Sequence, residues 1–293
     1  MEKFNIKGNV MILITTMIWG TAFVAQKAAM DAGVGPFTFI SVRFFIGGCV
    51  TMLAAPLFTR GIGFRVLFNV GTVKAGIICG FVLFAGGSLQ QVGMQYTTAG
   101  KAGFLTALYV VFVPLAALFL RRKPRIWVWP GMVLAVTGTY FLCVTEGFSI
   151  NPGDAYIILS AVFFAGHILV IDRFAPGHDG IALSSVQFFT VSAVAAVFML
   201  TTETPSISMI MTGALPILYT GVMSSGVAYT LQVKAQKITA PAVAAILFSM
   251  ESVFAALADY LINRQGFSER ELIGCVLVLS AVVVSQLPDY KIK

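Results

Sequence analysis

Charge is what this chain has least of. Only 11% of its 293 residues are Asp, Glu, Lys or Arg, where a soluble globular domain carries about a quarter. Two histidines and four cysteines complete the short inventory of chemistry-bearing side chains. The sequence holds no HExxH, no G-x-S-x-G and no Walker A motif. The usual sequence patterns of a zinc hydrolase, a serine hydrolase and an ATP-driven pump are therefore missing. Cys49, Cys79, Cys143 and Cys275 all fall in apolar blocks without metal-ligand spacing, and small core filler is the expected role. No cofactor and no metal is expected. Long polar stretches are absent too, so no room is left for a separate soluble domain.

What the chain has instead is apolar length. It is 58% hydrophobic with a mean hydropathy of +0.91, and it divides into blocks of the roughly 20 residues that cross a hydrocarbon core. Ten helical spans are predicted, near 9–27, 37–58, 73–96, 99–120, 126–144, 154–172, 181–200, 212–234, 240–262 and 271–288. The N-terminal MEKFNIKGN reads as the flank of an uncleaved first span rather than a signal peptide. With the N-terminus placed in the cytoplasm, fourteen of the nineteen basic residues lie in inner loops: Lys3, Lys7, Arg60, Arg65, Lys74, Arg121, Arg122, Lys123, Arg125, Arg173, Lys234, Lys237, Lys291 and Lys293. Lys27, Lys101, Arg264 and Arg270 lie outside, and Arg43 falls within a span. The positive-inside rule then puts both termini in the cytoplasm. The net charge of +7 is an orientation signal rather than a nucleic-acid footprint.

The chain repeats itself. Ser41-Val42-Arg43-Phe44-Phe45 returns as Ser185-Val186-Gln187-Phe188-Phe189, an offset of 144. Gln91-Val92, Gln95 and Thr98-Ala99 return as Gln232-Val233, Gln236 and Thr239-Ala240, an offset of 141. Gly131-Met132-Val133-Leu134 returns as Gly274-Cys275-Val276-Leu277. Two halves, 8–146 and 152–288, of five spans each follow. Five is odd, so the halves enter the membrane from opposite sides, which is the inverted repeat of many secondary transporters. The expected fold is an all-α integral membrane protein of ten spans, two inverted five-helix repeats around a central cavity.

Polar residues inside spans mark the expected site. Glu251 lies near the middle of the ninth span, where an acid must be protonated, paired or open to water. Proton coupling or recognition of a cationic group is one reading, and a structural hydrogen bond to a helix terminus or to backbone freed at Pro114 or Pro241 the other. Arg43 either faces the cavity or snorkels to the interface. His167 suits a proton relay or plain helix packing. Gln91 and Gln232 are the deeper members of their pairs and the better cavity candidates, while Gln95 and Gln236 read as structural and Gln90 is open. Trp19, Tyr109, Tyr219 and Tyr229 lie within spans, as cavity wall or as packing. Lys27 and Lys101 either make an electropositive outer vestibule or are ordinary solvated charges.

These residues carry a resemblance. Trp19-Gly20, the stretch QVGMQYTTAGKAGFLTALYVVFVPL at 91–115 and FSMESVFAAL at 248–257 are similar to hallmarks of the drug/metabolite transporter superfamily, in proteins with two EamA domains. The resemblance covers almost the whole chain. It implies a ten-helix basket with spans 1, 3, 4, 6, 8 and 9 around the cavity, and transport of small metabolites, amino acids or related compounds, often outward. The chain departs from the family in having Ser252 rather than proline after Glu251. It also lacks a Gly-Glu pair at the ends of spans 4 and 9, where Arg121-Arg122-Lys123 and Asn263-Arg264-Gln265 stand. The expected protein is a monomeric multi-pass carrier in the cytoplasmic membrane, with a small molecule and the bilayer as partners and no nucleic acid.

Overall fold

The computed structural model describes residues 5–58, 69–144, 151–263 and 268–288. Lys3, Arg60, Arg65, Arg264, Lys291 and Lys293, which the orientation argument uses, lie outside the described residues. Within them the chain is helical, with no strand. In chain order, α1 is Ile6–Asp31, α2 Pro36–Phe58, α3 Val70–Gly93, α4 Ala99–Phe119 and α5 Val128–Cys143. Then come α6 Pro152–Phe174, α7 Gly180–Thr202 and α8 Ala214–Gln236, the last preceded by a short helix at Ile207–Thr212. In α9, Pro241–Phe248 runs into Met250–Asn263, and α10 is Glu269–Ser285. Among the described residues eight helices are long and apolar enough to cross a membrane. The two shorter ones are α5, with 16 residues, and α10, with 17.

Helix ends are closed by short polar side chains, as they must be where water is scarce. Asn5, Asn69 and Thr98 accept from the backbone N–H of Gly8, Thr72 and Lys101. Asp179 accepts from Ile181 and Ala182. Reciprocal capping boxes open α6, through Asn151 and Asp154, and α10, through Ser268 and Glu271. The start of α2 is capped from another helix. Glu203, at the end of α7, accepts from Phe37 N at 2.7 Å, Thr38 N at 2.9 Å and Thr38 Oγ1 at 2.6 Å.

Helices at matching positions of the two repeats meet each other. In the α2–α7 pair, Ser41 Oγ donates to Ser192 O and Ser192 Oγ donates back to Ser41 O, at 3.2 and 2.9 Å. Phe37 stacks on Phe198 and Phe45 meets Phe189 edge-on. Rising numbers in α2 meet falling numbers in α7, so the pair is antiparallel. The α5–α10 pair crosses at Gly138 and Gly274, where a Cβ added to either would lie 2.8 Å from the other's carbonyl oxygen. Only glycine permits that approach, the small-residue device of membrane helix packing. Gly131 meets Ser285 at the far end of this pair, so it too is antiparallel.

Two irregularities shape the interior. Both α4 and α9 are interrupted, α4 at Leu108 and α9 at Ser249, positions 141 apart. In α8, Thr220–Tyr229 forms ten residues of π-helix, a form that is rare and concentrated at functional sites.

Candidate functional site

A cavity opens between the repeats. Its wall draws on α1 (Trp19, Gln26), α3 (Gln90), α4 (Thr106, Tyr109), α6 (Phe164, His167), α8 (Tyr229, Gln232) and α9 (Phe248, Glu251). The six helices that the resemblance named all contribute. One further residue, Arg43, reaches in from α2. Neither α5, α7 nor α10 supplies a lining residue.

The interrupted helices deliver the acid and its partner. Tyr109 directly follows the break in α4, and Glu251 lies two residues past the break in α9. The Tyr109 hydroxyl donates to Glu251 Oε1 at 2.9 Å, across 142 positions of sequence and between the two repeats. Glu251 is 3% exposed, and its second carboxylate oxygen has no hydrogen-bond partner among the described residues. Gly20 holds this corner in place. A Cβ there would lie 2.6 Å from the Glu251 carbonyl oxygen and 2.7 Å from Ala255 N, so α1 and α9 touch backbone to backbone.

Arg43 is buried, with 4% exposure, which answers the snorkelling alternative: its guanidinium lies in the protein interior. Nη1 donates to Gln26 Oε1 at 3.0 Å. The charge lies 4.6 Å from the centre of the Phe44 ring and 5.5 Å from that of Phe39, a cation–π setting. Tyr229 lines the same cavity. Among the described residues no carboxylate lies within ion-pair distance of Arg43.

Tyr229 is the hub of the aromatic wall. Its ring centroid lies 4.8 Å from Trp19, 5.9 Å from Phe44 and 6.1 Å from His167. Trp19 in turn lies 5.4 Å from Phe248. His167 is fixed on its other side, where Nε2 is 3.0 Å from Gln187 Oε1. The glutamine that replaces Arg43 in the second repeat thus holds a cavity-lining histidine and does not line the cavity itself.

Of the residues singled out in the sequence, Trp19, Arg43, Tyr109, His167, Tyr229, Gln232 and Glu251 converge on this cavity. Gln91 does not. It is buried outside the lining, and its neighbour Gln90 takes the position instead, donating to Thr106 Oγ1 at 2.9 Å. Tyr219 turns to α1, bonding Thr21 and the Ile18 carbonyl. Gln236 donates to Ile168 O at 2.9 Å, a helix-to-helix tie. Lys27 pairs with Asp31 and Lys101 with Asp154, so both cations are held by acids. Asp172 pairs with Arg122 across to α4 rather than with its neighbour Arg173. Gln26, Thr106, Phe164 and Phe248 were not singled out in advance. Trp19, Ala22, Phe23 and Gln26 stand at i, i+3, i+4 and i+7, one helix face, and that spacing was the available signal for Gln26.

Comparison with known proteins agrees with this geometry. The model of the EamA-like transporter family matches residues 6–144 and again 151–286. The chain belongs to the EamA-like transporter family, within the drug/metabolite transporter superfamily. An uncharacterized transporter of Archaeoglobus fulgidus is 32% identical over 94% of this chain and 84% of its own length. A second, of Clostridium kluyveri, is 23% identical over 97% and 94%. The protein PecM of Dickeya dadantii is 22% identical over 92% and 89%. A protein crystal structure superposes with a TM-score of 0.79 at 20% identity, covering 95% of this chain and 96% of that one, a likeness of fold. This EamA protein is therefore a multi-pass membrane transporter whose repeats meet around a polar, aromatic-walled cavity.

Proposed function

We propose that this EamA transporter is a secondary carrier that moves a small amphipathic metabolite, an amino acid or related compound, by alternating access. The observation that carries the reading is the Tyr109–Glu251 bond inside the cavity. It joins the two repeats immediately after the interruption in each of two matching helices. A carrier needs a central site that both halves share and elements that bend beside it, and this corner supplies both. The antiparallel contacts of α2 with α7 and of α5 with α10 support two inverted repeats, with the shorter α5 and α10 as the fifth span of each. Units at 8–146 and 152–288 fit that arrangement. Placement in a cytoplasmic membrane with both termini inside rests on the distribution of lysine and arginine. Export as the direction comes from the family resemblance. No catalytic step is proposed, and a monomer with internal symmetry is sufficient.

Glu251 is proposed to couple transport to protons. It is the buried acid of the cavity, and its second carboxylate oxygen has no hydrogen-bond partner among the described residues. The competing reading is an uncoupled facilitator in which the Tyr109 bond makes Glu251 a structural tie. Proteoliposomes separate these. Counterflow of labelled substrate against trapped substrate supports the carrier, and an uncoupled ion current supports a channel. If Glu251→Gln retains counterflow while its rate no longer varies with external pH, coupling runs through Glu251. Unchanged pH dependence in that variant removes the coupling role.

A further inference from the structure

We infer that the cavity takes a zwitterion, its anionic group held at Arg43 and its cationic group at Glu251. This rests on the carrier reading for its purpose, but its test needs binding alone.

Two other acids of the described structure are engaged within the chain by a cation or by backbone donors. Asp154 is fully buried and pairs with Lys101, and Glu203 spends its carboxylate on the N-terminus of α2. Arg43 and Glu251 differ. They share one cavity, carry opposite charge types, and form no ion pair with each other. Among the described residues their hydrogen-bond partners are neutral: Gln26 for the arginine, Tyr109 for the acid. A buried charge without a counter-charge is costly unless something completes it, and among the described residues no counter-charge completes either group.

Three further atoms point the same way. Trp19 Nε1, Arg43 Nε and Gln232 Oε1 belong to cavity-lining residues, are buried, and have no hydrogen-bond partner. Buried polar groups are nearly always satisfied, so each calls for a ligand or solvent atom. Arg43 Nε–H is one prong of the fork that grips a carboxylate, and Trp19 supplies a second donor. Gln232 Oε1 and the free oxygen of Glu251 are acceptors, as an ammonium requires. Between these groups run the rings of Trp19, Tyr229 and Phe248, a wall for an apolar body.

The second repeat shows that this is a specificity device and not a necessity of the fold. Its copy of the same slot holds Gln187 hydrogen-bonded to His167, with no charge. The matching α6–α7 contact therefore stands with glutamine in the arginine position, and Arg43→Gln gives α2 the residue that α7 already carries.

The test is thermal stabilisation and titration calorimetry of the purified full chain in detergent, with two matched probe series. One is L-phenylalanine, 3-phenylpropanoate and 2-phenylethylamine; the other is L-leucine, 4-methylpentanoate and 3-methylbutylamine. In at least one series the zwitterion binds, and more tightly than either single-charge relative by about tenfold or more, as a charged hydrogen bond implies. Arg43→Gln weakens the zwitterion by about the same factor and leaves the amine unaffected, while Arg43→Lys restores part of the loss. Glu251→Gln shows the mirror pattern, weakening the zwitterion and sparing the carboxylate probe. A single symmetrical elution peak for each variant verifies its fold. The inference is overturned if neither zwitterion binds, if a single-charge probe binds as tightly, or if both substitutions weaken all probes alike. Binding without counterflow removes the carrier and keeps this inference. Counterflow of a single-charge compound does the reverse.

Discussion

The first two helices of each repeat are joined by a hydrogen bond in the same place, made from different chemistry. In the first repeat Gln26 of α1 holds Arg43 of α2. In the second, His167 of α6 holds Gln187 of α7. Gln26 and His167 are 141 apart, and Arg43 and Gln187 are 144 apart, so the bond is one inherited slot used twice. Yet only one member of each pair has the same fate. Gln26 and His167 both line the cavity, whereas Arg43 lines it and Gln187 does not. Duplication keeps the bond as scaffold, and divergence puts a charge in one copy only. A cavity between two related halves is made asymmetric by a single residue.

The seams between the halves differ as well. Helix α4 is strapped to α6 by an ion pair at each end, Lys101 with Asp154 and Arg122 with Asp172. The matching seam, α9 against α1, is closed by backbone contact at Gly20. Four substitutions sharpen this comparison. The largest effect is expected at Lys101→Met, which leaves the fully buried Asp154 without its cation. A loss of roughly 3–5 kcal/mol follows from breaking a buried pair, measured as a lowered unfolding temperature or denaturant midpoint in detergent. Asp154→Asn with Lys101→Met should recover much of it. Next is Gly20→Ala, whose methyl meets immovable backbone of α9; about 1–3 kcal/mol of overpacking cost is expected. Its second-repeat counterpart, Ala161→Gly, should lose only about 0.5–1 kcal/mol. Equal effects would show that the two seams are alike after all.

Gln187→Ala comes third. It leaves His167 without its partner, at a cost of about 1–3 kcal/mol, and substrate binding should be altered less than in Arg43→Gln. Calorimetry on both variants measures this, and an equal loss of affinity would erase the distinction between the slots. Smallest is Arg122→Met at the exposed end of the α4–α6 seam, where 46% of the arginine side chain is accessible. Surface pairs contribute about 0–1 kcal/mol, so a large loss there would mark that end as a working latch.

Much of this was legible in the sequence because two codes overlap. Span positions come from apolar length, and the eight helices of the described residues that are long and apolar enough to cross a membrane fall within a few residues of predicted segments. Most of the site came from a second code, the cost of polar groups in spans: Glu251, His167, Gln232 and Arg43 stand out because lipid does not tolerate them. Where that cost does not discriminate, the reading failed. Gln90 and Gln91 are adjacent and chemically identical, and only the rotation of α3 against α4, a tertiary fact, decides which one faces the cavity. The interruptions at Leu108 and Ser249 and the widened coil of α8 had no marker either, since no proline or glycine stands at either break. Phe164 and Phe248 were hidden among 25 phenylalanines.

The widened coil of α8 has a consequence for how the chain tolerates length change. Each turn closed over five residues instead of four houses more chain than an ordinary turn, so Thr220–Tyr229 stores spare thread upstream of Gln232. Removing a single amino acid inside an ordinary transmembrane rod would rotate everything beyond it by about 100°. Here the same deletion can be absorbed by tightening the coil, leaving the downstream half of the rod in phase with its neighbours.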